Sequence, residues 1–104
     1  MEDVGRRLRW SREIVAESQA DVCRLLGLED TTTWNKWEKG TRYPDVVVMA
    51  RYCDLFGLTM DYLYRGRLKG IREDVQLRLA AHHPELVDQD PELSRPAKAK
   101  APVA

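Results

Sequence analysis

Between residues 31 and 43 the chain concentrates side chains suited to hydrogen bonding and ion pairing: Thr31, Thr32, Thr33, Asn35, Lys36, Lys39, Thr41, Arg42 and Tyr43. Trp34 and Trp37 stand three residues apart. If both turn to one side of a helix, Thr31, Thr32, Thr33, Asn35 and Lys36 lie on the other. Short hydroxyls allow close approach and their methyls suit the thymine methyl group, while Asn35 and Lys36 offer hydrogen bonds to base edges. Lys39, Thr41, Arg42 and Tyr43 supply the charge and hydroxyls that hold phosphates. A second phosphate site is expected at the start of the preceding helix, where Gln19 lies beside backbone amides with no helical partner.

Five short helices must position these groups. The first runs over about Asp3–Val15, with Val4, Leu8, Ser11/Arg12 and Ile14 or Val15 on one stripe. Ser18 is the N-cap of the second, over Gln19–Leu26, with Asp21 three residues on and Val22, Cys23 and Leu26 inward. Gly27 stops it, and Asp30 or Thr31 caps a third helix over about Thr31–Lys39 that ends at Gly40. Pro44-Asp45 opens a fourth, whose inward stripe reads Val46, Met49, Ala50, Cys53 and Phe56 before Gly57. Thr59 caps a fifth through Tyr64, burying Met60 and Leu63. The turn between the second and third helices, Gly27–Asp30, has the length of a helix-turn-helix connection.

Composition divides the chain. All eight aromatic residues fall within 1–66 and four of the five prolines within 84–104. Residues 1–66 are therefore read as the helix-turn-helix domain and 84–104 as an extended, disordered tail. Between them, Leu68, Ile71, Val75 and Leu79 recur at helical spacing and predict an extra C-terminal helix over about Ile71–His82. So short an apolar stripe must dock, and a homodimer contact is the reading adopted. His82-His83 reads as a solvated helix end. Arg6, Arg7 and Arg9 fit either a solvated face or phosphate contacts.

No Ser/His/Asp or Cys/His arrangement, phosphate-cradling glycine loop or metal-ligand spacing occurs, so neither an enzyme nor a cofactor or metal is expected. Cys23 and Cys53 read as small core residues. No apolar run reaches the roughly 20 residues of a membrane span, and the charged start lacks a signal peptide's apolar stretch. A cytoplasmic protein is expected. Seventeen basic residues balance seventeen acidic ones. Such neutrality argues against nucleic acid only until the charges are located. Lys36, Lys39 and Arg42 gather on one side, while Asp21, Asp45, Asp54 and Asp61 belong to caps or other faces.

Together Leu8-Arg9-x-x-Arg12, Ser18-Gln19-x-x-Val22-Cys23-x-x-Leu26-Gly27, Trp37-Glu38-Lys39-Gly40-x-Arg42-x-Pro44 and Gly57-Leu58-Thr59 with Leu63 resemble the lambda-repressor-like, or XRE, helix-turn-helix family. The resemblance implies an all-α, five-helix fold and a sequence-specific DNA-binding transcriptional regulator, with a repressor occupying an operator as the reading. It implies double-stranded DNA as partner and a homodimer. It also implies that Arg12 pairs with Glu38, that Gln19 contacts phosphate, that Thr31, Thr32 and Lys36 face bases, and that Lys39 and Arg42 hold the backbone. Two features depart from the family. Gly27 to Gly40 is one residue longer than usual, which makes Thr33 an alternative to Thr31 as base reader, and Ala16-Glu17 replaces a glycine and an apolar residue. The competing reading is a protein-interaction module or antitoxin-like regulator that binds a partner protein on the same scaffold.

Overall fold

Helix starts are set by local chemistry. In the computed structural model, which describes residues 2–15 and 18–90, Ser18 Oγ accepts the Asp21 amide at 3.1 Å and opens α2 (Gln19–Leu26). Asp45 Oδ1 accepts the Val48 amide at 3.0 Å and opens α4 (Val46–Phe56). Thr59 Oγ1 accepts the Tyr62 amide at 3.0 Å and opens α5 (Met60–Arg65). α1 covers Glu2–Val15 and α3 Thr32–Lys39, and α6 (Glu73–His82) and α7 (Glu85–Gln89) follow. No strand occurs among the described residues.

The core gathers around α1, which packs on α3, α5 and α6. Leu8, Val22, Trp34, Met49, Tyr52, Tyr62, Leu63 and Leu79 are completely buried. Two buried hydroxyls tie α1 to the rest. Ser11 Oγ donates to the Leu8 carbonyl at 2.8 Å, so the Tyr52 hydroxyl must be the donor across their 2.7 Å contact. The Tyr62 hydroxyl donates to the Arg7 carbonyl at 2.6 Å, and Arg7 Nε returns a bond to the Leu63 carbonyl at 3.0 Å. Gly5 permits the closest approach. A Cβ at that position would stand 2.5 Å from the Glu38 carbonyl oxygen and 2.6 Å from that of Trp37.

Three expectations change. On α4 the inward residues are Met49, Tyr52 and Cys53, whereas Val46 and Ala50 are exposed and Phe56 is half-buried. The helix turns so that Tyr52 can reach Ser11 and stack edgewise on Trp34, with ring centroids 5.2 Å apart. Second, the stripe Leu68, Ile71, Val75 and Leu79 is buried within one chain. Arg78 Nη2 donates to the Ile14 carbonyl at 2.6 Å, fixing α6 at the end of α1. Third, order continues past Pro84. α7 buries Leu86, Asp90 Oδ2 accepts the Leu68 amide at 2.7 Å, and the His83 ring stacks on Trp10 with centroids 4.3 Å apart. His83 is thus a packing residue rather than a solvated end. Ala16-Glu17 and the expected tail from residue 91 onward lie outside the described residues.

Both thiols are buried, and burial pushes the Cys23 thiol up and the Cys53 thiol up to about 12. Burial likewise raises the Tyr52 and Tyr62 phenols. An unfolded chain releases these protons near the ordinary values of 9.0 and 10.0, while the folded chain retains them. Above pH 9 the unfolded state therefore binds fewer protons and stability falls as pH rises. A melting temperature that declines steadily from about pH 9 to about pH 12 is expected; a flat profile would contradict the burial of these groups. For Gly5→Ala, helix propensity favours alanine by about 1 kcal/mol. Displacing packed backbone costs about 1–3 kcal/mol. Urea unfolding should show a lower midpoint, and a higher one would mean that α1 and α3 can separate freely.

Candidate nucleic-acid interface

The α2–α3 turn is closed at both ends by backbone chemistry. Gly27 takes φ 75°, and the Leu28 amide reaches back to the Cys23 carbonyl at 2.8 Å. At the start of α3, Asp30 Oδ1 accepts the Thr32 amide at 2.9 Å, whereas Thr31 makes no side-chain cap. The helix therefore begins at Thr32. Gly40, at φ 76°, ends it one residue after Lys39.

Burial sorts the face of α3. Trp34, Trp37 and Glu38 point inward, and Thr32, Lys36 and Lys39 are exposed along the outer line. Thr31, Thr33 and Asn35 are half-buried on the flanks. Thr33 lines a groove with Trp37, Arg42, Tyr43 and Asp45, so it borders the α3–α4 loop. Asn35 borders the start of α2. Lys39 at the end of the helix and Arg42 and Tyr43 beyond it are exposed.

Behind this face sits a buried carboxylate. Glu38 Oε2 accepts Arg12 Nε and the Trp34 indole Nε1, each at 2.6 Å. Its Oε1 accepts Arg12 Nη2 at 3.2 Å and Gln19 Nε2 at 3.0 Å. The Glu38 side chain is 3% exposed and that of Arg12 12%. Burial works to lower the Arg12 pKa, but the hydrogen bond and attraction of Glu38 outweigh it, so the net shift is upward. The resemblance implied the Arg12–Glu38 contact. The Trp34 link is an i,i+4 pair that could have been read from the sequence, since a buried indole N–H needs an acceptor.

Gln19 and Thr41 have other engagements. Gln19 Nε2 also donates to Asn35 Oδ1 at 3.3 Å, so both of its amide protons are committed to protein partners. The Thr41 hydroxyl donates its single proton to the Lys36 carbonyl at 3.2 Å. At the start of α2 the anion-binding capacity thus rests with the backbone amides of Gln19 and Ala20, which have no helical carbonyl ahead of them. Because Asn35 Oδ1 accepts from Gln19, its Nδ2 group is the end left to donate outward. These amide orientations follow from Glu38, which can only accept.

Comparison with known proteins agrees with this geometry. A family model described as a helix-turn-helix domain matches residues 3–63, the segment from α1 into α5. Neither the curated proteins nor the solved structures provide a match. No helix among the described residues is long and apolar enough to cross a membrane.

Glu38→Gln tests the carboxylate. Glutamine has one acceptor oxygen and sets an N–H₂ group against donors, leaving the Arg12 charge unpaired. A loss of about 3–5 kcal/mol in urea unfolding is expected. Lys39→Gln, on the exposed line, should stay within about 0.5 kcal/mol. Equal, small effects would show that the Glu38 charge is not needed.

Proposed function

Since the chain belongs to the helix-turn-helix domain family of XRE and lambda-repressor-like proteins, we propose that it is a sequence-specific transcriptional regulator, a repressor that occupies an operator. Membership supports DNA binding in general. The observation that carries the sharper reading is the relay from Glu38 through Gln19 to Asn35, which fixes the outward group of a polar residue on the flank of α3. A regulator without base preference gains nothing from such orientation.

In this mechanism α3 enters the major groove. Thr32 and Lys36 face the bases, with Thr31, Thr33 and Asn35 at the flanks. The Asn35 Nδ2 group and the Lys36 ammonium are both donors, matching acceptor edges such as guanine N7 and O6 or thymine O4. Lys39 and Arg42 hold phosphates on one side, and the first amides of α2 hold one on the other. Gln19 acts through Asn35 rather than on phosphate directly, and Thr41 steadies the end of α3 that carries Lys36.

A homodimer reading two half-sites about 34 Å apart belongs to the same proposal. Its contact lies away from the Leu68, Ile71, Val75 and Leu79 stripe, which is buried within the chain. The exposed face of α4, with Val46, Val47 and Leu55 at 63%, 69% and 52% exposure, supplies the apolar area.

Selection from random duplex DNA tests the reading. One enriched sequence with two related half-sites one helical turn apart is expected, and retention of all sequences alike would sink it. On the enriched duplex, Lys36→Ala should cost about 1–3 kcal/mol and relax the preferred sequence. Arg42→Ala should weaken specific and non-specific binding equally and flatten the salt slope by about 0.9.

A further inference from the structure

The first helix carries arginines that the helix-turn-helix does not employ. Beside the end of α3 lies an open cleft of about 280 Å³, lined by Arg6, Arg9, Trp10, Glu38 and Lys39. Its position follows from Gly5, which lets α1 lie directly against the Trp37 and Glu38 carbonyls. The walls are consequently at the negative end of the α3 dipole, where cations gather readily.

The negative charge in the cleft is already met, because Glu38 is saturated by Arg12, Gln19 and Trp34. The rim cations are not. Arg6 and Arg9 are 45% and 56% exposed, and their nearest carboxylates, Asp3 and Glu13, stand 3.7 and 3.8 Å away on the same helix. Such exposed pairs are weak and break readily. Tight pairing elsewhere is much closer, as in Arg24–Asp21 at 2.8 Å. Lys39 is exposed and enters no ion pair among the described residues. Trp10 supplies a rigid floor. His83 stacks on its ring at 4.3 Å, and the Arg6 guanidinium lies 6.0 Å from the ring centre.

We propose that this cleft is a phosphate-binding site, in which Arg6, Arg9 and Lys39 clamp the DNA backbone on the α1 side of α3. The inference rests on the DNA-binding reading above, and Lys39 joins the two, since it belongs both to the outer line of α3 and to the cleft. The two arginines at the α1 edge would then add a further grip on the backbone to those of Arg42 at the loop edge and the first amides of α2. The added grip is independent of sequence, because none of the three side chains is assigned to a base.

Two measurements on the full chain, wild type and Arg6→Ala/Arg9→Ala, decide the matter. In duplex binding against salt, the double variant should lose about tenfold in affinity and flatten the slope by about 2, with the ratio of specific to non-specific binding unchanged. In titration with inorganic phosphate, the Trp10 indole N–H resonance should shift saturably in the wild type and not in the variant. Both substituted side chains are exposed, so the variant's melting curve should match the wild type. An unchanged slope and affinity overturns the clamp, and a phosphate shift accompanying it would then mark a site for a small phosphate-bearing ligand instead. If no duplex is bound while the shift persists, the DNA reading and the backbone clamp both fail and only the anion site remains.

Discussion

A carboxylate removed from water must find donors or fail to ionise, and Glu38 draws its donors from three helices. Arg12 on α1 supplies two, Gln19 on α2 one and Trp34 on α3 one. A buried ion pair alone contributes little net stability, because desolvation cancels much of the attraction. Here the geometry matters more than the energy. Each donor can satisfy the carboxylate from one direction only, so α1, α2 and α3 are held in a single mutual arrangement. The outer line of α3 inherits its position from that arrangement. Gln19 carries it one step further, to the orientation of the Asn35 amide.

The apolar packing serves the same centre. Trp34 and Trp37 lie with ring centroids 5.6 Å apart, and Trp34 also meets Tyr52. One tryptophan thereby fills the core and offers its only polar atom to Glu38. Tyr52 does the same towards Ser11. Charge is distributed to match, with Asp21 and Asp74 carboxylates held below their usual range by Arg24 and Arg72. These acids answer neighbouring arginines, and Lys36, Lys39 and Arg42 enter no ion pair among the described residues. A neutral chain can in this way present a cationic edge.

What the sequence disclosed is what one turn of chain decides. Ser18, Asp45 and Thr59 act on amides three residues away, and Gly27 and Gly40 close turns with their own backbone, so helix limits and the helix-turn-helix were readable. The orientation of α4 was not. Val46 and Ala50 fit an apolar stripe as well as Tyr52 does, and the tyrosine is selected by Ser11, 41 residues away, and by Trp34. The engagement of Gln19 with Glu38 was not legible either, because the two stand 19 residues apart. α7 was missed for a related reason. Five residues bounded by proline have no helical persistence of their own, and Leu86, His83 and Asp90 hold it through contacts with remote segments.

The central position of α1 bears on the order in which the chain acquires structure. Its partners arrive late: Glu38 bonds it across 26 residues, Tyr62 across 55 and Arg78 across 64. During synthesis α2, α3 and α4 can approach one another while α1 still lacks half of its surroundings. The Trp10 ring waits longest, until His83 has left the ribosome. Contacts so far apart in sequence slow folding, because the loops they close must form before the contacts stabilise them. Among the described helices α1 is the earliest in the chain, yet its enclosure waits for the end of α6.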